Sequence, residues 1–209
     1  MIKQVGRAAG VVVVALGVLV VPTAPGAAAV PAYTGTGCRV TSYVPDGGHL
    51  TGWTAEPTIT IADQITIGAH TTTSVLVEQN PATEVTASAR LGSTLATSGP
   101  ALWSAVEARA GRRVARQGER TGPSSAPWRD AITHSSAQNR TFVHFRGVTL
   151  YTGHYQRDLC ITRSGSDVGT VARATAPLRT FSRATVQGRT QCGTTPRSPW
   201  EKAAQRYCR

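Results

Sequence analysis

Arg140-Thr-Phe-Val-His-Phe-Arg-Gly-Val-Thr-Leu-Tyr-Thr-Gly-His-Tyr-Gln-Arg-Asp-Leu-Cys-Ile-Thr162 decides how the chain is read. Val143 and Phe145 alternate with His144 and Arg146. Gly147 then interrupts, and Val148 and Leu150 alternate with Thr149 and Tyr151. A period of two over this length predicts a pair of half-buried strands with Gly147 between them. The same pattern makes His144, and His154 after Gly153, exposed sheet residues.

Working outward, more strands are predicted on either side. Upstream, Cys38 to Tyr43 alternates, Pro45-Asp46-Gly47-Gly48 is a turn, and Leu50 to Ala55 carries Trp53. Ile59, Ile61, Ile65 and Ile67 fall on one face. Asp63 shares that face, which suggests a bulge or turn there. Ser74 to Glu78 and Glu84 to Leu91 read as further strands around Asn80-Pro81. Downstream, Ser164-Gly165-Ser166-Asp167 makes a turn, and Val168 to Ala174 and Phe181 to Gln187 read as strands separated by Pro177.

Two segments carry helical signals. In Ser98 to Gly118, Leu102, Val106, Ala110 and Val114 are spaced four apart behind Ser98 and Pro100, which favours an amphipathic helix. Gly111 in its middle leaves a strand reading open. Ser198-Pro199-Trp200-Glu201 combines an N-cap serine, an N1 proline and a capping-box glutamate, so a helix is expected from Pro199 to about Tyr207. Thr121 to Asn139, poor in apolar residues, reads as a mobile loop. The fold class that results is mainly β: an antiparallel, sandwich-like domain with a short C-terminal helix, and a second helix if Leu102 to Val114 is one.

Lys3 and Arg7 precede an uncharged run from Ala8 to Val21, followed by Ala27-Ala28-Ala29. This is the pattern of a signal peptide over residues 1–29, too short to span a bilayer as a helix. Residues 30–37 form a Pro/Gly/Thr lead-in, and 38–209 one secreted domain. Cys38, Cys160, Cys192 and Cys208 are even in number and lack metal-ligand spacing, so two disulfides are expected and no metal. Pairing Cys192 with Cys208 and Cys38 with Cys160 would tie the last helix to the last strand and the first strand to the central pair. Cys160 with Cys192 and Cys38 with Cys208 is the rival.

Without Lys3 and Arg7 the chain keeps 20 basic residues, of which Lys202 alone is lysine, against 11 acidic ones, a net charge of +9. Such a field favours anionic polymers and surfaces. An arginine-for-lysine bias in high-GC genomes accounts for the composition equally well. The densest positive cluster is Arg109, Arg112, Arg113, Arg116 and Arg120, a weak candidate for anion binding. At the end of a helix these cations would also complement its dipole.

No motif names a reaction. The five histidines are scattered, Gly165-Ser166-Asp167-Val168-Gly169 puts its serine in the wrong place for a nucleophile elbow, and there is no zinc-protease or EF-hand pattern. No catalytic residue and no cofactor is therefore assigned. The aromatic residues are not interleaved with arginines as a nucleic-acid stacking platform would need, so no specific nucleic-acid recognition is expected.

The Thr/Ser-rich strands from Pro57 to Leu91, Ala-Leu-Trp-Ser-Ala-Val-Glu-Ala at Ala101, and Tyr151-Thr152-Gly153-His154-Tyr155 leading to Cys160 together resemble small secreted β-rich proteins of unassigned function from high-GC soil bacteria. The resemblance covers about Ile59 to Cys192, implies a strand at Ala101, and carries over no catalytic residue. The long amphipathic strands are also distantly similar, at the level of fold, to aerolysin-type pore-forming proteins. The expected function is a non-enzymatic binding module for an anionic cell-surface polymer or lipid. A pore-forming protein is the alternative, with a hydrolase or inhibitor behind it.

Overall fold

A computed structural model describes residues 32–43, 48–78, 80–92, 95, 98–121 and 127–209. The expected signal peptide, the start of the expected lead-in, most of the expected 45–48 turn and residues 122–126 lie outside the described residues. The fold is mainly β and antiparallel, with two helices. Its strands are β1 (Ala32–Arg39), β2 (His49–Ile67), β3 (Thr71–Val77), β4 (Ser88–Ala89), β5 (Trp128–His134), β6 (Arg140–Thr162), β7 (Val168–Phe181) and β8 (Val186–Gln191). The helices are α1 (Gly99–Ala110) and α2 (Pro199–Ala204), the latter running into a 3-10 turn at Gln205–Tyr207.

The stretch read as a strand pair is one strand of 23 residues, and the fold is built on it. β2 lies along one edge of β6 for nearly its whole length. The other edge is shared, with β8 opposite Phe142 to Gly147 and β7 opposite Leu150 to Thr162. Gly147 does not break the strand. It sits where β2 bulges between Ile59 and Ile61 and where α2 comes down on the sheet: a Cβ there would lie 2.5 Å from the Thr58 carbonyl oxygen and 2.7 Å from the Trp200 ring. Glycine is needed for close approach, not for a turn.

That bulge also redistributes the isoleucines. Ile59 turns to the face carrying Val143, Phe145 and Ala204, while Ile61, Asp63, Ile65 and Ile67 face the other way, opposite Arg146, His144, Phe142 and Arg140. The irregularity thus falls between Ile59 and Ile61, ahead of Asp63, where the pattern suggested a bulge or turn. Asp63 stays in register because its carboxylate has partners, accepting from the Glu78 amide at 3.0 Å and Asn80 Nδ2 at 3.1 Å.

β3 and β5 form a two-stranded ribbon, and Trp128, Asp130 and His134 of β5 lie against Arg146, His144 and Phe142 of β6, giving a second layer over the Asp63 face. Seven residues of the expected loop from Thr121 to Asn139, Trp128–His134, are therefore strand. Ile132 and His134 are buried in β5 while Arg129, Ala131 and Thr133 are exposed, an alternation too poor in apolar residues to stand out in sequence. With that layer above and α2 below, Val143 to Val148 are all buried. His144 is therefore a core residue, not the exposed one its position suggested.

Other differences have similar causes. β7 runs through Pro177, whose carbonyl accepts from the Arg90 amide on the edge away from β6, so the missing N–H faces outward. The lead-in becomes strand from Ala32 because the same edge of β7 takes it up, pairing Ala32 with Arg173. The expected strand from Glu84 to Leu91 reduces to β4. Around Ala101 the chain is helix, as the four-residue spacing predicts and unlike the strand implied by resemblance. Leu102 and Val106 are buried against Tyr151, Tyr155 and Leu178. Gly111 is the helix terminator, left-handed at φ 64°, so α1 stops short of Gly118.

α2 forms as its sequence predicts. Ser198 Oγ accepts from the Glu201 amide at 3.2 Å, and Glu201 reaches back to the Arg197 amide. Both disulfides are those first in preference, Cys38–Cys160 and Cys192–Cys208. They fit an oxidising compartment. Among the described residues no helix is long and apolar enough to cross a membrane.

Candidate anion-binding site

The five arginines singled out in sequence do not converge. Arg109 lies in the last turn of α1, and Arg112 and Arg113 follow the helix at the surface, with no carboxylate paired to them among the described residues. Arg116 folds back on the helix, 3.1 Å from Glu107 and stacked over Trp103 at 5.6 Å. Arg109 borders an open depression with His49, Leu50, Ala105 and Ala108, and Arg120 lines a cavity that two further arginines share.

That site is a polar cavity of about 220 Å³ between β2, β6 and the end of β7, lined by Arg120, Arg146 and Arg183 with the hydroxyls of Thr60, Thr121, Ser182 and Thr185. Arg146 is its innermost charge, only 7% exposed. The strand alternation places it opposite Ile61 on β2 and Gln187 on β8, and the β5 ribbon closes over it, with the Trp128 ring 4.6 Å from its guanidinium carbon. In the amide orientation that satisfies both groups, the Gln187 oxygen accepts from Arg146 Nε at 2.8 Å. Among the described residues no carboxylate pairs with Arg146. Burial lowers its pKa. An arginine stays charged regardless, and a buried charge without a counter-ion is costly.

The two outer arginines are held from behind. Arg183 donates from Nε to the Val114 carbonyl at 3.1 Å and from a terminal nitrogen to Glu119. Arg120 lies 3.4 Å from Glu84, a looser and more exposed pair. Both side chains are at least half exposed, so the cavity runs from the Arg146 floor to an arginine rim. Arg146 and Arg183 were missed in sequence. The available signal was an arginine among the apolar residues from Phe142 to Leu150.

Beside Arg146, on the same face, His144 is fully buried. Its Nδ1 lies 3.2 Å from Asp130 Oδ2 but is not aligned for a hydrogen bond, and Nε2 has no partner among the described residues. Arg189 shares the same carboxylate oxygen at 3.2 Å. Burial lowers the His144 pKa, Asp130 and Asp63 oppose the shift, and Arg189 adds to it. A base and an acid lie side by side, and among the described residues no hydroxyl or thiol is bonded to the imidazole as a nucleophilic triad requires. His154, by contrast, is exposed as its position predicts. Among the described residues no group of three or more His, Cys, Asp or Glu could hold a metal ion.

Comparison with models of known families, with curated proteins and with solved structures finds no match for this chain.

Proposed function

We propose that the protein is a secreted, non-enzymatic binding module for an anionic cell-surface polymer or lipid surface. The observation that carries this reading is Arg146, a buried guanidinium without a carboxylate at the floor of a cavity whose rim holds two more arginines. A counter-charge supplied by a ligand would offset the cost of that burial. The wider surface agrees with it. Asp130, Asp158, Glu84, Glu107 and Glu119 are each engaged by an arginine of the same chain, while Arg109, Arg112 and Arg113 face solvent. The remaining field is positive and would attract polyanions over a distance set by salt.

The test is sedimentation of the protein with isolated anionic cell wall across a salt series. Retention that falls steeply from low to moderate salt supports the reading, and no retention at low salt overturns it. A pore-forming role is the second reading, supported by β3, where Thr72, Ser74 and Leu76 are exposed in alternation. Dye release from anionic liposomes at protein concentrations that only coat them would favour it.

A further inference from the structure

Resting on that reading, we infer that the cavity of Arg120, Arg146 and Arg183 is a site for a single phosphate group, so the module reads discrete phosphates and not charge density alone. Three features lead there. The first is the number and origin of the donors. The arginines come from three separate segments, the stretch after α1, the middle of β6 and the turn that follows β7, and all three line the one cavity. A planar carboxylate has two oxygens and is served by one guanidinium fork. A tetrahedral phosphate has oxygens directed at several, and carries about −1.5 to −2 charges near neutral pH as a monoester.

The second feature is preorganisation. Arg146 is fixed by Trp128 and Gln187, and Arg183 by Val114 and Glu119, so neither must be ordered when a ligand arrives. Glu84 and Glu119 sit behind the rim arginines and moderate the charge there. The innermost arginine has no such neutralisation, which directs the anion inward.

The third feature is the hydroxyls. Thr121 Oγ1 accepts from the Val85 amide at 2.8 Å, leaving its own proton available to an anion at the cavity wall. Ser182, by contrast, is committed, accepting from the Thr149 amide and donating to the Ala184 carbonyl. It shapes the wall and offers no further proton.

The experiment is titration calorimetry of the full, disulfide-bonded protein with inorganic phosphate at constant ionic strength. Acetate serves as the planar control, and phosphorus NMR as a second readout. One saturable site is expected, with acetate at least tenfold weaker. Arg146→Gln should abolish saturation, and Arg120→Gln and Arg183→Gln should each weaken it severalfold. Arg206→Gln, on the far 3-10 turn, should leave it unchanged. If Arg146→Gln does not fold, the two rim variants decide the matter.

Acetate binding as tightly as phosphate, or phosphate binding indifferent to both rim variants, overturns the site. Glycerol phosphate in solution and phosphatidic acid in vesicles separate a polymer-borne phosphate from a lipid headgroup. Saturation by either that is lost in the rim variants supports the chemistry and names the source. Wall retention without phosphate saturation sinks this inference and leaves the binding module standing. Saturation without retention does the reverse.

Discussion

Trp200 lies flat along Phe145, ring centroids 6.5 Å apart and planes 4° from parallel, and its rim reaches the bare backbone of Gly147 two residues further along β6. The helix can seat on the sheet only because that position has no side chain. Gly147→Ala must push Trp200 outward or part β6 from β2, with a destabilisation of about 1 to 3 kcal/mol expected from overpacking. Urea unfolding followed by tryptophan fluorescence checks it, and an unchanged midpoint would refute this account of the glycine.

His144 makes stability depend on pH. Its folded pKa is lowered by burial, so below about 6.5 the unfolded chain takes up a proton that the folded chain resists. The stability that neutral His144 contributes is complete above that pH and is lost as pH falls below it. Asp130 and Asp63 soften the loss, and Arg189 sharpens it. Melting temperature should therefore drop as pH falls from 7 through the histidine range, and His144→Gln should flatten that slope. Asp158 acts separately: its hydrogen bond from Arg173 lowers its pKa, so its contribution is lost only as pH falls through the carboxylate range, below about 4.

The disulfides close loops of very different size. Cys192–Cys208 spans a separation of 16 residues, and replacing both with serine should cost about 3 kcal/mol in the chain-entropy model and loosen α2. Cys38–Cys160 spans 122, and its removal should cost about 5 kcal/mol in the same model. Guanidinium titrations of the two double mutants measure both losses. Non-reduced trypsin digestion should link the peptide beginning Thr190-Gln191-Cys192 to Tyr207-Cys208-Arg209.

Arg112 and Arg113 are expected to act through the field alone. Replacing both with glutamine should weaken wall binding a few-fold at low salt and not at all at high salt, with the melting temperature unchanged. Arg116→Gln should instead cost up to about 1 kcal/mol of stability, because it loses Glu107 and the face of Trp103. Parallel salt titrations and thermal melts separate the two effects.

Elements encoded locally were legible in sequence. Ser198, Pro199 and Glu201 specify α2 within four residues, and the four-residue spacing of Leu102 and Val106 does the same for α1. What depended on long-range packing was not. Nothing near Gly147 announces a helix that arrives from the C-terminus, so a packing glycine reads as a break. His144 and Arg146 follow the alternation of a half-exposed strand, and only the β5 ribbon, itself faint in sequence, makes their face interior. The cavity was hidden for the same reason. Its three arginines lie in separate segments and meet only after the sheet is assembled.

β2 and β6 pair residues from opposite halves of the chain, His49 with Gln156 at one end and Ile67 with Arg140 at the other, and β7, β8 and α2 all dock on the result. A nascent chain that has not yet reached Arg140 has therefore no partner for its longest early strand, and little of its first half can settle before the last third is made. Loop closure on this scale must precede the contacts that reward it, which places refolding in the millisecond-to-second range of strand-dominated topologies. Assembly of the sheet is thus deferred until β6 has been made, and Cys38 can find Cys160 only after that.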